Sequence, residues 1–341
     1  MTRNIMALIG LVLFGATLSA APVRHEFPRA GAYEVLSGDF HMHTVNSDGK
    51  LTTVERVREA YDFGYDVIAV TDHSNNRGNR LARQAGEQLG LVVLTGFETG
   101  IRGKEHMNVL GTPLDYIPKC NHVMAETPDG PGAYYRTELK RIADAGGFIL
   151  YNHPHVGYRE PVEWGVAQGY IQGIEVKNGV VGSGWNTTNS HGAWCYPDAF
   201  AYALTHNLTL FANSDAHGPR NPKDRWVTLV LATERSREAV MEALTSRRTI
   251  AWFDGMLWGR ERELVQVLDA SVQAKKITDY QVELINRCPV EFLLEIDGHP
   301  VTLPAYGSAK LASPNGELNA VWTNVWVSPD VQLRHRIPVL K

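Results

Sequence analysis

Four short runs in this chain combine histidine with carboxylate, amide or hydroxyl neighbours. They are HMHT at 41–44, TDH at 71–73, NHPH at 152–155 and SDAH at 214–217, and together they hold six of the 13 histidines. Imidazole and carboxylate groups are common ligands of divalent metals in hydrolytic sites. Most of these runs end a stretch rich in Val, Ile, Leu and Phe, which indicates that several strands of one sheet carry ligands to a common point. The pattern therefore predicts a metal-dependent hydrolase.

The first and last runs each offer two ligands. His41 and His43 alternate along one strand, so both imidazoles leave the same face and can bind one ion. Asp215 and His217 repeat that spacing at the end of LFANSDAH. Glu98 ends LVVLTGFE, and a carboxylate at the tip of a buried strand must be paired, protonated or bound to metal because burying it alone is costly. Such a carboxylate could bridge two cations.

Four further residues complete the predicted ligand set. His73 follows the apolar run at 67–70, His106 precedes MNVLG, and His153 follows FILYN. Asp48 lies in NSDGK, where Gly49 favours a turn that carries the carboxylate back over the strand end. The alternative interpretation of Asp48 is a plain Asp-Gly turn residue. Asp72 is expected to orient a ligand or to form a turn, not to act as a base.

The elements that must position these residues alternate along the chain. Strands are predicted to end near residue 40 and to cover 66–70, 91–97, 107–110, 147–151, 171–176, 208–212 and 226–232. Helices are predicted at 53–63, 133–145, 196–204 and 235–246. This alternation is typical of an α/β fold with parallel strands joined by crossover helices. Ligands in such barrels gather at the carboxyl ends of the strands, which is where the histidine and carboxylate runs fall.

The pattern changes near residue 263. Strands are predicted at 280–285, 290–296, 309–311 and 320–327, separated by Pro, Gly and Asn turns and without a helical period. We therefore expect a main domain at 22–263 and a small antiparallel β appendage at 264–341 that has no chemical role.

Residues 1–21 have the pattern of a secretory signal. Arg3 precedes an apolar stretch at 5–18, and small residues follow at Ser19, Ala20 and Ala21. The stretch is shorter than the roughly 20 apolar residues needed to cross a bilayer. We expect cleavage after Ala20 or Ala21 and a mature protein in the periplasm or outside the cell, with no membrane association.

Net charge and cysteine content indicate which kinds of partner and cofactor the chain can bind. The net charge is −4, and no run of Lys or Arg is long enough to follow a phosphate backbone, so polymeric nucleic acid is not expected to bind. A small-molecule substrate is expected instead. Cys120, Cys195 and Cys288 are too few for a disulfide scaffold and have no CxxC spacing, so they are not expected to bind zinc. The pairing of these cysteines and the oligomeric state stay open.

In this order, HMHT followed by SDG, then TDH, Glu98, His106, NHP and SDAH resemble the motifs of the PHP (polymerase and histidinol phosphatase) superfamily of metal-dependent phosphoesterases. The resemblance covers residues 37–253. It implies a distorted seven-stranded βα barrel that binds two or three divalent cations, for which Zn, Mn and Fe are all suitable. Some members have His where this chain has Asp48. The implied ligand sets are His41, His43, Glu98 and Asp215 for one ion, Glu98, His106 and His153 for a second, and Asp48, His73 and His217 for a third.

The resemblance also implies a reaction. Cations close together lower the pKa of a bridging water, so that hydroxide can attack a small phosphate mono- or diester without a serine or cysteine nucleophile. Candidates for contact with the substrate are Arg102, His155, Lys177 and His191. One alternative is hydrolysis of an amide, carbamate or carboxylic ester by the same metal centre. Another is a noncatalytic exported metal-binding protein.

Overall fold

The computed structural model describes residues 25–101, 105–119, 133–180, 195–221, 225–312 and 318–340. The predicted signal at 1–21 lies outside these residues, and so do Arg102, Cys120 and His191. The helices are α1 (Thr53–Asp62), α2 (Asn79–Leu89), α3 (Ala133–Asp144), α4 (Glu160–Ala167), α5 (Pro197–Thr205), α6 (Arg237–Thr245) and α7 (Glu261–Ser271). No helix among the described residues is long and apolar enough to cross a membrane.

The strands fall into two sets along the chain. Those before α7 are β1 (Glu34–Asp39), β2 (Val67–Ala69), β3 (Val92–Leu94), β4 (Gly96–Ile101), β5 (Glu105–Leu110), β6 (Phe148–Tyr151), β7 (Ile171–Asn178), β8 (Thr209–Asn213), β9 (Val227–Ala232), β10 (Thr249–Phe253) and β11 (Met256–Gly259). Those after it are β12 (Val272–Thr278), β13 (Gln281–Asn286), β14 (Phe292–Ile296), β15 (His299–Leu303), β16 (Ser308–Ala312), β17 (Leu318–Ser328), β18 (Val331–Ile337) and β19 (Val339–Leu340). Every predicted strand has a counterpart among them.

The four predicted helices form as α1, α3, α5 and α6, within about two residues of the predicted ends. The start of α1 is fixed by a capping box, in which the Thr52 side chain accepts from the Glu55 amide and the Glu55 side chain accepts from the Thr52 amide. Three helices were not predicted. The fully buried residues of α2 are Asn79, Ala82 and Gly86, none of which has a large apolar side chain.

The strands that carry the histidine runs lie in two mixed sheets. The larger has the order β15-β14-β17-β11-β10-β9-β1-β2-β3, with β18 paired to β17, and the other is β4-β5-β6-β7-β8. The pairs β1–β2, β2–β3, β6–β7 and β7–β8 are parallel. The pairs β1–β9, β4–β5 and β5–β6 are antiparallel, so the expectation of parallel strands alone was wrong. Residues 102–104 between β4 and β5 are too few for the helical connection that a parallel pair needs.

A shared core joins the two sheets. Phe40, at the end of β1, packs edge-on against Phe211 of β8 with ring centroids 5.6 Å apart, and Phe148 of β6 lies 5.8 Å from the same ring. All three side chains are buried. The fold is therefore α/β with mixed sheets. A closed seven-stranded barrel is not confirmed, because the hydrogen-bonded strands of the described residues are divided between two sheets.

The part of the chain after α7 is rich in β-strands, as predicted. It is not wholly antiparallel, since β17 pairs in parallel with β11 and β19 with β12. The helix α7 crosses the expected boundary at 263/264, so the expectation that no helix follows residue 263 was wrong. Its buried residues Leu264, Val267, Leu268 and Ser271 do follow a helical period. The division into 22–263 and 264–341 stays a prediction.

Candidate metal centre

The predicted ligands meet at one end of the two sheets. His41, His43 and Asp48 follow β1, His73 follows β2, Glu98 lies in β4, and the remaining ligands come from β5 or follow β6 and β8. Isolated bridges pair Met42 with Ala216 and His73 with Glu98, and they hold the chain segments of the ligands side by side. The structure thus brings all nine into one connected cluster. They are His41, His43, Asp48, His73, Glu98, His106, His153, Asp215 and His217.

Glu98 lies at the centre of this cluster and is fully buried. Its Oε2 atom is 3.3 Å from Nε2 of both His41 and His43 and 2.9 Å from Nδ1 of His73. Its Oε1 atom is 3.1 Å from Nδ1 of His106 and 3.4 Å from Nε2 of His153. The two oxygens therefore face different sets of imidazoles, which is the arrangement expected of a bridging carboxylate.

The first group consists of His41, His43, Glu98 and Asp215. Asp215 Oδ1 lies 3.2 Å from His41 Nε2 and 3.1 Å from His43 Nε2. Ligands 2.0–2.1 Å from a tetrahedral ion are about 3.3–3.4 Å apart, so these spacings suit a shared cation. His41 Nε2 is buried and has no hydrogen-bond partner. Since orphaned buried polar atoms are rare, the donor set fits a divalent metal.

The second group consists of Glu98, His106 and His153. The ring centroids of His106 and His153 are 5.0 Å apart, and both imidazoles face Glu98 Oε1. The ligand atoms of His41, Glu98 and His153 lie within 4.8 Å of one another. His41 therefore lies within reach of both the first and the second group, which the motif alone did not imply.

The third group consists of His43, Asp48, His73 and His217, whose ligand atoms also lie within 4.8 Å of one another. Asp48 Oδ2 is 3.4 Å from Nε2 of both His73 and His217. A Cβ atom at Gly49 would lie 2.5 Å from the His43 backbone, so the turn after Asp48 can fold this tightly only with glycine. This geometry favours the metal interpretation of Asp48 over a plain turn. The group is also the most open, since the Asp48 side chain is 54% exposed.

The carboxyl groups of Glu98 and Asp215 and the imidazole of His41 shift one another's pKa values in the first group. Burial alone would raise the pKa of Glu98 and Asp215, but His41 and the other imidazoles lower the pKa of both carboxyl groups. Burial alone would lower the pKa of His41, yet Asp215, Glu98 and Glu175 raise it well above its ordinary value. The carboxylates are therefore ionised, and a metal ion would take the place of a proton on His41.

Two polar residues near the ligands were not predicted. Glu175, in the middle of β7, has its Oε1 atom 2.8 Å from His41 Nδ1. Asn152 donates from Nδ2 to Glu98 Oε1 at 2.9 Å. The available signal for Glu175 was a carboxylate inside the buried run IQGIEVKN, where an unpaired charge would be costly.

Asp72 supports the loop that carries Asp48. It accepts hydrogen bonds from the amide and the hydroxyl of Thr44, each at 2.7 Å, and from the Ser47 hydroxyl at 2.8 Å. Of the two predicted roles, these contacts favour holding a turn.

Two of the four candidates for substrate contact are described. His155 lies beside the second group, with its ring centroid 5.3 Å from that of His153 and its Nδ1 2.7 Å from the His153 carbonyl oxygen. Lys177 is buried near the end of β7, where its Nζ is 3.3 Å from Asp254 and 5.5 Å from the Trp226 ring centroid. Arg102 and His191 lie outside the described residues.

A cluster of imidazoles around a shared buried carboxylate, set at the ends of strands in an α/β fold, is typical of a divalent-metal site. Comparison with known proteins agrees with this class of site over part of the chain. Residues 39–176 match the model of the PHP domain. The resemblance inferred from the motifs is therefore confirmed over residues 39–176.

The similar proteins include two curated relatives and a solved structure. The chain is 29% identical over 113 residues to a phosphoribosyl 1,2-cyclic phosphate 1,2-diphosphodiesterase from Eggerthella lenta, covering 32% of this chain and 43% of that protein. It is 38% identical over 60 residues to a 5'-3' exoribonuclease from Haemophilus influenzae, covering 18% of this chain and 22% of that protein. The chain thus spans less than half the length of either curated relative.

The solved structure is a two-domain protein from Bacteroides vulgatus, described as containing a predicted PHP-like metal-dependent phosphoesterase. It is 25% identical, with a TM-score of 0.77, and the match covers 94% of this chain and 99% of that one. The likeness therefore extends beyond the PHP domain into the β-rich part after α7.

Proposed function

We propose that the protein is a metal-dependent phosphoesterase that hydrolyses small phosphate mono- or diesters. The observation that carries this proposal is the position of Glu98, whose two oxygens face separate sets of imidazoles within one buried cluster. Adjacent cation positions of this kind suit displacement at phosphorus. The PHP domain and the names of the similar proteins support the same reaction class.

Each part of the site has a role in this proposal. The first group would hold one cation, Glu98 would link it to the second group, and the third group would hold a further cation nearer to solvent. Zn, Mn and Fe all suit such mixed nitrogen and oxygen ligands. Bound cations would polarise phosphoryl oxygens and lower the pKa of water. His155, beside the second group, is the described candidate for a contact with the leaving group or phosphate.

The names of the relatives support phosphodiester chemistry without fixing the substrate. One acts on a cyclic phosphate and the other is an exoribonuclease. The net charge of −4 favours a small ester over a nucleic acid polymer. Mono- and diester substrates are both included in the proposal because the same ligands can serve both reactions.

A substrate panel on one metal-analysed sample tests the proposal. Protein purified without chelators would be assayed with p-nitrophenyl phosphate, its bis ester, an aryl carboxylic ester and a short oligoribonucleotide, with His41→Ala as the control for contaminating activity. We expect turnover of at least one small phosphate ester, absent from the variant. Activity on the carboxylic ester alone would support the alternative carbonyl hydrolase. Metal uptake with no turnover would support a noncatalytic metal-binding protein.

Export is a further part of the proposal. The basic, apolar and small-residue order of residues 1–21 supports it. Expression of the full chain in a Gram-negative host, followed by fractionation and mass determination of the amino terminus, tests it. A chain processed after Ala20 or Ala21 in the periplasmic fraction is the expected result, and an unprocessed cytoplasmic chain would contradict it.

A further inference from the structure

We propose that Glu175 is a positioning residue that holds one ligand from each of the two buried groups, His41 through its imidazole and His153 through its backbone. The inference rests on the metal centre of the proposed function. It concerns how the ligands are aimed, and it does not depend on which ester is hydrolysed.

Glu175 is fully buried in β7 and makes four hydrogen bonds. Its Oε1 atom lies 2.8 Å from Nδ1 of His41 and accepts from Nδ2 of Asn213 at 3.0 Å. Its Oε2 atom accepts from the backbone N–H of His153 at 2.7 Å and from Nδ2 of Asn178 at 2.9 Å. One carboxylate thus joins residues that come from β1, β6, β7 and β8.

The orientations of both asparagine amides are fixed by backbone donors. Asn213 Oδ1 accepts from the Phe40 amide at 3.1 Å, and Asn178 Oδ1 accepts from the Val180 amide at 2.9 Å. Each NH₂ group must therefore point at Glu175. Together with the His153 amide, at least three of the four partners of Glu175 can only donate, and a carboxylate accepts on both of its oxygens.

An acceptor at Oε1 also assigns the tautomer of His41. Nδ1 must carry a proton to donate to Glu175, so in the neutral ring the lone pair is on Nε2. That Nε2 atom is 3.3 Å from Glu98 Oε2 and 3.2 Å from Asp215 Oδ1. A carboxylate behind a ligating imidazole orients the ring and raises its basicity toward the metal.

The contact with His153 acts on the backbone. His153 has a φ of 25°, which an L-residue rarely adopts, and it precedes Pro154, which restricts its backbone further. The hydrogen bond from its amide to Glu175 helps to hold this conformation. It is this conformation that places His153 Nε2 3.4 Å from Glu98 Oε1.

The third group gives an internal comparison. Among the described residues, the four hydrogen-bond partners of Glu175 include no member of that group. Loss of Glu175 should therefore weaken the two buried ion positions and have a small effect on the exposed one.

The variant Glu175→Gln keeps the size and shape of the side chain but replaces its carboxylate with an amide. A glutamine amide keeps one accepting oxygen, so whichever way it turns, either His41 or His153 faces an NH₂ group instead of an acceptor. Zn²⁺ affinity would be measured by chelator competition, in the full chain and in a His217→Ala background that removes the third group. We expect affinity at the buried positions to fall 10–100-fold, the range found when outer partners of metal ligands are removed.

Two controls separate positioning from folding. Glu138→Gln alters another buried carboxylate, which contacts Tyr116 and Arg141 away from the ligands, and it should lower thermal stability with wild-type Zn²⁺ affinity. In the wild-type protein loaded with Zn²⁺, ¹⁵N NMR of labelled histidines should show His41 protonated at Nδ1 and metal-bound at Nε2. That measurement needs no variant, so it decides the matter even if Glu175→Gln does not fold.

Unchanged Zn²⁺ affinity of folded Glu175→Gln at the buried positions, or a His41 that binds metal through Nδ1, would overturn the inference. These results differ from a failure of the proposed function. A wild-type protein that binds Zn²⁺ through the buried groups but hydrolyses no phosphate ester would contradict the phosphoesterase proposal alone.

Discussion

The Oε2 atom of Glu98 lies 3.3 Å from Nε2 of His41; both atoms are buried, and His41 Nε2 has no hydrogen-bond partner. The separation exceeds that of a good hydrogen bond and suits two ligands of one ion. We therefore expect metal binding in this site to depend strongly on the negative charge of Glu98.

The variant Glu98→Gln should therefore lose both buried ion positions together. We expect Zn²⁺ or Mn²⁺ affinity and kcat/KM to fall by more than about 100-fold, because even outer partners of metal ligands cost 10–100-fold. Elemental analysis after dialysis and single-substrate kinetics measure these losses. Glu138→Gln serves as the matched control, and a Glu98→Gln protein with full metal content would show that the carboxylate does not bridge.

The third group should release its ion first when a chelator is added. Asp48 is 54% exposed and His217 is 30% exposed, whereas the ligands of the first group are at most 4% exposed. Brief treatment with a weak chelator should therefore leave the ion of the first group in place. Metal counting over the time course checks this order, with Asp48→Asn as a variant that lacks only the early phase. Simultaneous loss of all ions from both proteins would contradict it.

Packing of α7 should contribute strongly to stability. Leu268 is 1% exposed in the core shared by the large sheet and the β-rich part after α7. Leu268→Ala should lower the free energy of unfolding by about 2–5 kcal/mol, the range for a buried leucine. Urea unfolding measures the loss, with Leu293→Ala, at a position 40% exposed, as the control. Equal effects of the two substitutions would contradict this account of the core.

Acid should destabilise the protein partly through His25. Burial, with a further contribution from Arg225, lowers the pKa of this half-buried imidazole from 6.5 to about 4. Between these values the unfolded chain binds more protons than the folded one, so the free energy of unfolding falls as pH falls. Urea unfolding of metal-free His25→Gln should lose less stability than the wild type between pH 7 and pH 4.5. His299 lies at an exposed position. If His299→Gln reduced the loss of stability at low pH as much as His25→Gln, the effect could not be assigned to His25.

The sequence was sufficient to name the candidate ligands that the structure brings together, because their signals are local. The spacing of two between His41 and His43 fixes their common face, and the apolar run before Glu98 marks it as a buried strand end. Each candidate could therefore be named without knowledge of its neighbours in space. The α/β class followed from the same alternation of runs.

Other features depend on tertiary contacts and were missed for that reason. Glu175 is 134 positions from His41, and only the order of the strands shows that they meet. A run that indicates a buried strand does not indicate its direction, so the antiparallel pairing of β4 with β5 was not predicted. The helix α2 was missed because its buried face is made of small and polar residues.

The parallel pairing of β11 with β17, at Leu257 with Val325 and Trp258 with Trp326, has a consequence for engineering. It completes an unbroken run of hydrogen-bonded strands from β3 beside the ligands to β15 far along the chain. If the segment after α7 were replaced by one without a strand equivalent to β17, the edge of β11 would be unpaired. An unpaired strand edge promotes aggregation. A transplanted C-terminal segment would therefore have to bring its own strand in the same register.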